Sequence, residues 1–130
     1  MRRRMTDGRR AVAIDMQSLS LREMQALIGA WGDETFPAPQ SNYKTVLAHL
    51  IAETEELRTM CALIALCEYV PQGVVEEIAD VAILTMQLAH RLGIDLALAV
   101  AAKHETNLTR TWTYDPEAGF SRHDEEASRD

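Results

Sequence analysis

Residues 74–84 read VVEEIADVAIL, and residues 46–57 read VLAHLIAETEEL. Each stretch carries two acidic residues three positions apart, Glu53 with Glu56 and Glu77 with Asp80. In an α-helix this spacing places both carboxylates of a pair on one face, one turn apart. The two stretches therefore predict two helices, each with an acidic face.

The helix that carries Asp80 is apolar on nearly all of its sides. From residue 78 to residue 89 the only polar residues are Asp80, Thr85 and Gln87. A helix of this kind is buried on most sides, so we expect Asp80 at or near a packed surface. An unpaired carboxylate is costly there. A divalent cation would satisfy both acidic pairs, because carboxylate oxygens are its preferred ligands; the alternative is a solvated polar face.

The rest of the chain predicts an all-α fold, a four-helix bundle or a close variant of it. Ser20 and Glu23 have the spacing of a capping box, and Asp95 can cap a last helix. Gly93 stands where a left-handed residue would end the helix before it. No strand pattern is visible. The predicted helices cover about residues 20–32, 41–67, 74–92 and 95–110.

Length and charge restrict the kind of partner. The 130 residues suit one domain, and the net charge of −7 argues against a nucleic acid or an anionic membrane as the partner. No stretch resembles a signal peptide or a bilayer-spanning run, so we expect a cytoplasmic protein. Cys61 and Cys67 lie in an apolar stretch and are expected to be buried, reduced thiols.

The last predicted helix supplies the opposite charge. Lys103, Asn107 and Arg110 lie at positions i, i+4 and i+7, so they form one stripe. Lysine and the planar guanidinium of arginine both bind phosphate oxygens. The stripe could be an ordinary surface feature that complements the helix C-terminus. Beside paired carboxylates, it indicates a metal-bound polyphosphate.

Several aromatic residues lie next to these charged motifs. Trp31 and Phe36 precede the second predicted helix, and Trp112 follows the fourth. They could pack in the core or stack on a nucleobase, which needs a flat apolar partner. His49 lies one turn before Glu53 and could either contact the ligand or bond to a neighbouring carboxylate.

Three motifs together resemble the MazG-like all-α nucleoside triphosphate pyrophosphohydrolases. They are HLIAETEEL at 49–57, EEIADV at 76–81, and Lys103 with Asn107, Arg110 and Trp112. The resemblance implies that the metal ligands are Glu53, Glu56, Glu77 and Asp80. It also implies that the phosphates are bound by Lys103, Asn107 and Arg110. The chain departs from the common pattern at Ala52, where many members carry a glutamate, which puts one metal position in doubt.

The resemblance also implies an activity. A (d)NTP would be cut to (d)NMP and pyrophosphate with two or three Mg²⁺ or Mn²⁺ ions, and Glu53 or Glu56 would orient the attacking water. The last motif is similar to a small, often phage-encoded branch directed at purine deoxynucleotides, which favours dGTP or GTP first and dATP second. In that case the cytoplasm would be that of a host. Family members are dimers, or tetramers built from two dimers.

The expected organisation has three parts. They are an N-terminal extension at 1–17, a MazG-like helical catalytic domain at 18–112 and an acidic tail at 113–130. Two other functions are compatible with the same sequence. One is a housecleaning pyrophosphatase for non-standard dNTPs, and the other is a non-catalytic helical interaction protein whose acidic residues keep it in solution.

Overall fold

The computed structural model describes residues 14–124, and it confirms the all-α fold class. The four α-helices are α1 Leu21–Thr35, α2 Tyr43–Ala62, α3 Gln72–Arg91 and α4 Leu96–Leu108. Short 3-10 helices, Met16–Ser18 and Leu63–Leu66, precede α1 and follow α2. Residues 1–13 of the expected N-terminal extension and the last six residues of the acidic tail lie outside the described range.

The helix ends follow the local capping chemistry of the sequence. The Ser20 hydroxyl accepts the amide of Glu23, and the Glu23 carboxylate accepts the amide of Ser20, which is the predicted capping box. Gly93 ends α3 with a φ of 68°, a conformation that costs a residue with a Cβ more than glycine. Asp95 caps α4 by accepting the amide of Leu98. These four residues were predicted correctly from the sequence.

The packing centres on α3, which lies against α2 along most of its length and against α1 on another side. The buried apolar side chains in the described range are Val46, Val74, Leu84 and Ala89. By contrast, α4 buries none of its residues and meets mainly α1. None of the described helices could cross a bilayer alone, and α3 and α4, which pass that test only together, are bent by 106°.

A buried glutamine fixes the turn between α3 and α4. Gln25 of α1 is 8% exposed. Its Nε2 donates to the carbonyl of Ile94 at 2.7 Å, and its Oε1 accepts from the amide of Leu96 at 2.9 Å. Both ends of the amide are therefore satisfied by backbone groups of the turn, as a buried amide requires. Arg22 adds an exposed ion pair to Asp95 at 2.8 Å.

The sequence prediction of no strands is wrong at the C-terminal end. Strands β1 Trp112–Asp115 and β2 Phe120–His123 pair as an antiparallel hairpin. The turn forms because the Asp115 carboxylate accepts two backbone amides, and because Gly119 adopts a φ of 84°. Asp124 then accepts from the hydroxyls of Thr111 and Thr113, which holds the hairpin closed. The segment predicted to be an extended tail therefore begins with ordered structure.

Two smaller predictions also differ from the structure. The second helix ends at Ala62 as an α-helix, five residues before Cys67, and tightens into a 3-10 turn. The two thiols were expected to be buried, but Cys61 is exposed and Cys67 is only half-buried. Cys61 lies in the last turn of α2 and Cys67 follows the 3-10 turn, in a stretch whose large apolar residues Leu63, Ile64 and Leu66 are also exposed.

Candidate metal centre

Three carboxylates of α2 and α3 converge where the two helices pack. Glu53, Glu56 and Glu77 each offer one oxygen, and these oxygens all lie within 4.8 Å of one another. Glu53 and Glu77 are half-buried, whereas Glu56 is exposed. The i, i+3 spacing on α2 brings its two glutamates to the face that packs on α3. The structure therefore brings together three of the four predicted metal ligands.

Glu77 shows the electrostatic cost of this cluster. Its Oε2 is buried and has no hydrogen-bond partner within residues 14–124. Burial of the carboxyl group raises the pKa of Glu77 to about 7, aided by the adjacent Glu53 carboxyl group and by the negative charges of Glu56 and Asp80. Glu77 therefore holds its proton to a higher pH than an isolated glutamate does.

A divalent cation fits this donor set. The oxygens are all carboxylate oxygens, which hard cations such as Mg²⁺ and Mn²⁺ prefer. Oε2 of Glu77 is buried and has no hydrogen-bond partner in the described range, so a bond to a metal ion would satisfy it. A cation would also offset the repulsion that raises the pKa of Glu77.

Asp80 and His49 lie beside this cluster. Asp80 is exposed and is not within the group of three, but it lies near enough for its charge to act on Glu77. His49 Nε2 is 3.0 Å from Glu53 Oε1, so the histidine bonds to a neighbouring carboxylate. Both residues line the cavity described next, and ligand contact by either one stays a prediction.

A cavity of about 720 Å³ opens beside the carboxylates and extends along α3. Glu53 and Asp80 lie in its wall together with two aromatic residues. Those residues, Trp31 and Phe36, are two of the three aromatic residues for which the sequence predicts base contact, and they pack edge to face with their ring centroids 5.5 Å apart. Each remains about half exposed, so an apolar face is available to a flat ligand.

The predicted phosphate-binding stripe does not reach this cavity in the single chain. None of its residues, nor any other residue of α4, lies in the cavity wall. Lys103 is exposed, and Asn107 and Arg110 are half-buried. Trp112 lies in the hairpin instead, where its indole Nε1 donates to the carbonyl of Asn107 and its ring meets that of His123. The phosphate and base roles of these four residues stay predictions.

Two known proteins resemble the chain over most of the described range. A protein of Salmonella phage PMBT28 named dATP/dGTP diphosphohydrolase is 37% identical over 93 residues, which is 72% of this chain and 28% of that protein. The MazG-like pyrophosphohydrolase of cyanophage S-2L, solved with dGDP and three catalytic Mn²⁺ ions per active site, matches with a TM-score of 0.61. It is 31% identical, and the match covers 81% of this chain and 97% of that one.

The chain belongs to the MazG-like pyrophosphohydrolases. No family model matches it. The sequence resemblance to this family is therefore confirmed by a relative that the chain covers almost completely.

This MazG-like chain also has a polar clamp at the far end of the cavity, which sequence reasoning missed. Arg91 donates from Nη2 to the carbonyl of Phe36 at 3.0 Å and to the hydroxyl of Ser41 at 3.2 Å, and its Nη1 is 3.4 Å from Asp33. His90 Nε2 lies 2.7 Å from the other oxygen of Asp33. The hydrogen bond from His90 holds the pKa of Asp33 below its usual value, with help from the charges of His90 and Arg91.

The clamp determines where the aromatic wall lies. It ties the end of α1 and the segment that follows it to the last turn of α3, so the Phe36 backbone is held against the cavity. The sequence signal was weak, because a His-Arg pair at a helix C-terminus ordinarily complements the helix dipole. Its partners are fifty or more residues away in the chain and could not be identified from spacing.

Proposed function

We propose that this chain is a metal-dependent nucleoside triphosphate pyrophosphohydrolase, which converts a (d)NTP to (d)NMP and pyrophosphate. One observation carries the proposal: three carboxylates within 4.8 Å of one another lie beside a 720 Å³ cavity with an aromatic wall. A cavity of that size suits a nucleotide-sized ligand. Because the cluster is negative, a polyphosphate can approach it only together with cations.

The four acidic residues would divide the work at the reacting phosphate. When bound, two or three Mg²⁺ or Mn²⁺ ions supply the Lewis acid that polarises the phosphate and lowers the pKa of water. Glu53, Glu56, Glu77 and Asp80 would hold those ions. Glu53 or Glu56 would also orient the attacking water or accept its proton. The cyanophage relative, with three Mn²⁺ ions per active site, supports this count of metals.

We propose that the substrate carries a purine base. The preferred substrate is dGTP or GTP, followed by dATP. The relatives support this choice, since one is named for dATP and dGTP and the other was solved with dGDP. In the cavity the base would lie against Trp31 and Phe36, with His49 near the sugar or the phosphates. The cytoplasm, that of a host if the gene is a phage gene, would be the place of action.

We also propose that the active form is a homo-oligomer, a dimer or a tetramer of two dimers. Large apolar side chains on α2, α3 and α4 are half exposed or more, among them Ile51, Ile78 and Leu98. Such faces are typical of surfaces that pair with another chain. The cations of α4, which do not line their own chain's cavity, would then serve the cavity of a partner chain.

A nucleotide panel tests the proposed reaction. The eight common nucleotides would be offered with Mn²⁺, and monophosphate and pyrophosphate would be measured separately. We expect Glu56→Gln and Asp80→Asn to abolish turnover with the helical fold intact. Glu55→Gln is the matched control, because Glu55 is exposed and pairs with Arg58 at 2.6 Å outside the cluster. Full activity of Glu56→Gln or Asp80→Asn would refute the proposal.

Thermal shift separates the enzyme from a non-catalytic interaction protein. Mn²⁺ with a purine nucleotide should raise the Tm if the folded chain binds them. The absence of a shift with any nucleotide would favour the interaction protein. Hydrolysis of damaged or non-standard dNTPs in preference to dGTP and dATP would favour the housecleaning function instead.

Mixing two inactive variants tests whether sites are shared between chains. Glu56→Gln removes a carboxylate on α2, and Lys103→Ala removes a cation on α4. If α4 serves the cavity of a partner, a mixed oligomer contains some sites that keep both groups, and activity should reappear. If each chain supplies its own cation, the mixture stays inactive. The mass in solution, measured by light scattering, should exceed that of one 14.6 kDa chain.

A further inference from the structure

Gln87 is a buried polar side chain whose amide has no protein partner in the described range. It is 8% exposed, as buried as Gln25, and it lies in the wall of the cavity. The amide of Gln25 is satisfied at both ends by backbone groups, whereas no hydrogen bond joins the Gln87 amide to any group of residues 14–124. The Gln87 amide is not among the fully buried groups that lack a partner, so it reaches the solvent of the cavity, where a polar ligand can bond to it.

The position of Gln87 along α3 matches the length of a nucleoside. Asp80, Leu84 and Gln87 follow one another on the cavity side of the helix. Seven residues separate Asp80 from Gln87, which is about 10 Å at 1.5 Å per residue. A nucleotide with its phosphates at the carboxylates would therefore extend its base toward Gln87.

The opposite wall leaves room for the amide. A Cβ placed on Gly32 of α1 would lie 3.2 Å from Gln87 Nε2, which is tighter than ordinary contact. Gly32 is buried and also lines the cavity. The glycine therefore lets the amide extend along the wall between the two helices, next to Trp31 and Phe36.

We infer that Gln87 reads the Watson–Crick edge of a purine base in this cavity, an inference that rests on the proposed hydrolysis of nucleotides. A carboxamide offers a donor and an acceptor side by side. Guanine presents an acceptor at O6 beside a donor at N1, and adenine presents a donor at N6 beside an acceptor at N1. A half-turn of the amide exchanges its two groups, and no protein hydrogen bond in the described range opposes that rotation.

The same geometry disfavours the smaller bases. A pyrimidine anchored by its phosphates is one ring shorter, so its edge would not reach the amide of Gln87. An unpaired buried group lowers the affinity of a site for the analogue that fails to reach it. Gln87 therefore determines the selectivity of the site for purines over pyrimidines, and its amide can bond to guanine and to adenine.

Two substitutions test the inference on the full chain with Mn²⁺. Gln87→Met keeps the volume and removes both hydrogen bonds. It should lower kcat/KM for dGTP and dATP by about tenfold, mainly through KM, and leave dCTP and dTTP nearly unchanged. Gln87→Glu, assayed at pH 8.5 where the carboxylate is ionised, accepts from N1 and N2 of guanine but from adenine only at N6. It should shift the dGTP to dATP ratio by about tenfold toward dGTP.

The control is Gln72→Met, an exposed glutamine at the start of the same helix and outside the cavity, which should change none of these values. An equal loss for all four nucleotides, or an unchanged ratio in both Gln87 variants, would overturn the inference. A wild-type chain that hydrolyses none of the nucleotides would instead refute the proposed function. Calorimetric titration of dGMP and dCMP with Mn²⁺ into the wild-type and Gln87→Met chains would then test the role of Gln87 alone. Weaker binding of dGMP only would support that role, and an equal loss of affinity for both nucleotides, or no loss, would refute it.

Discussion

Gly29 of α1 lies against His90 of α3, and its replacement by alanine tests that packing directly. A Cβ at residue 29 would be 2.4 Å from Cγ and Nδ1 of His90. Ordinary carbon contacts are about 3.5 Å or longer, so the ring would have to move by about 1 Å or more. The ring is held on its other side by Asp33, at 2.7 Å. Gly29→Ala must therefore displace the ring or separate the helices.

The expected magnitude follows from two opposing effects. Overpacking costs about 1–3 kcal/mol, and replacing a helical glycine by alanine regains up to about 1 kcal/mol. We expect a net loss of about 1–2 kcal/mol in the free energy of unfolding, or several degrees in Tm for a domain of this size. Urea unfolding in EDTA, followed by circular dichroism at one fixed protein concentration, measures it.

A double-mutant cycle identifies the contact responsible. In a His90→Ala background the obstructing ring is gone, so Gly29→Ala should be neutral or stabilising there. Gly32→Ala is a milder comparison one turn away, because its Cβ would meet only the flexible amide of Gln87 at 3.2 Å. The reasoning fails if Gly29→Ala costs as much with alanine at residue 90 as with histidine, or if it stabilises the wild-type chain.

Three further predictions concern the carboxylates, the clamp and α4. Between pH 4.5 and about 7 the folded chain retains a proton on Glu77 that the unfolded chain releases, so in EDTA the Tm should fall as the pH rises through that window. Glu77→Gln should flatten this dependence of Tm on pH, and an unchanged slope in the variant would contradict the assignment to Glu77. Arg91→Met removes the clamp on the aromatic wall, so it should lower the free energy of unfolding by about 2 kcal/mol and should raise KM more than it lowers kcat. Urea unfolding measures the first effect and steady-state kinetics the second, and a loss confined to kcat would argue against a positioning role. Asp95→Ala removes the cap of α4 and should lower the Tm more than Arg22→Ala, which removes only the exposed ion pair. Equal shifts in Tm would show that the cap does not stabilise the fold.

The helix boundaries that were predictable from the sequence are those set by local chemistry. A capping box, a capping aspartate and a glycine after a helix act within three or four residues, so Ser20, Asp95 and Gly93 mark their elements without reference to the rest of the fold. The i, i+3 spacing of Glu53 with Glu56 is equally local, and it gave the acidic face of α2 correctly.

The C-terminal hairpin has a recognisable signal in the sequence. Residues 112–123 read WTYDPEAGFSRH, with aromatic residues on both sides of an Asp-Pro turn that ends in glycine. That composition is typical of two short strands joined by a tight turn. The acidic residues that follow have the composition of a tail, and that composition conflicts with the turn signal.

The relation of α4 to the cavity could not be predicted from one chain's sequence. The stripe of Lys103, Asn107 and Arg110 is a property of one helix, but its distance from the carboxylates depends on the turn that Gln25 fixes and on any partner chain. The clamp of Arg91 is similar, because its partners follow from tertiary packing.

The unpartnered carboxyl oxygen of Glu77 has a consequence for the protein's lifetime. An ion that binds only the folded chain suppresses the brief openings at which proteases cut. Without that ion, α2 and α3 would separate more often, and the molecule would be degraded rather than merely idle. A cell short of divalent metal would then contain less of this polypeptide, because more of it would be open to proteases.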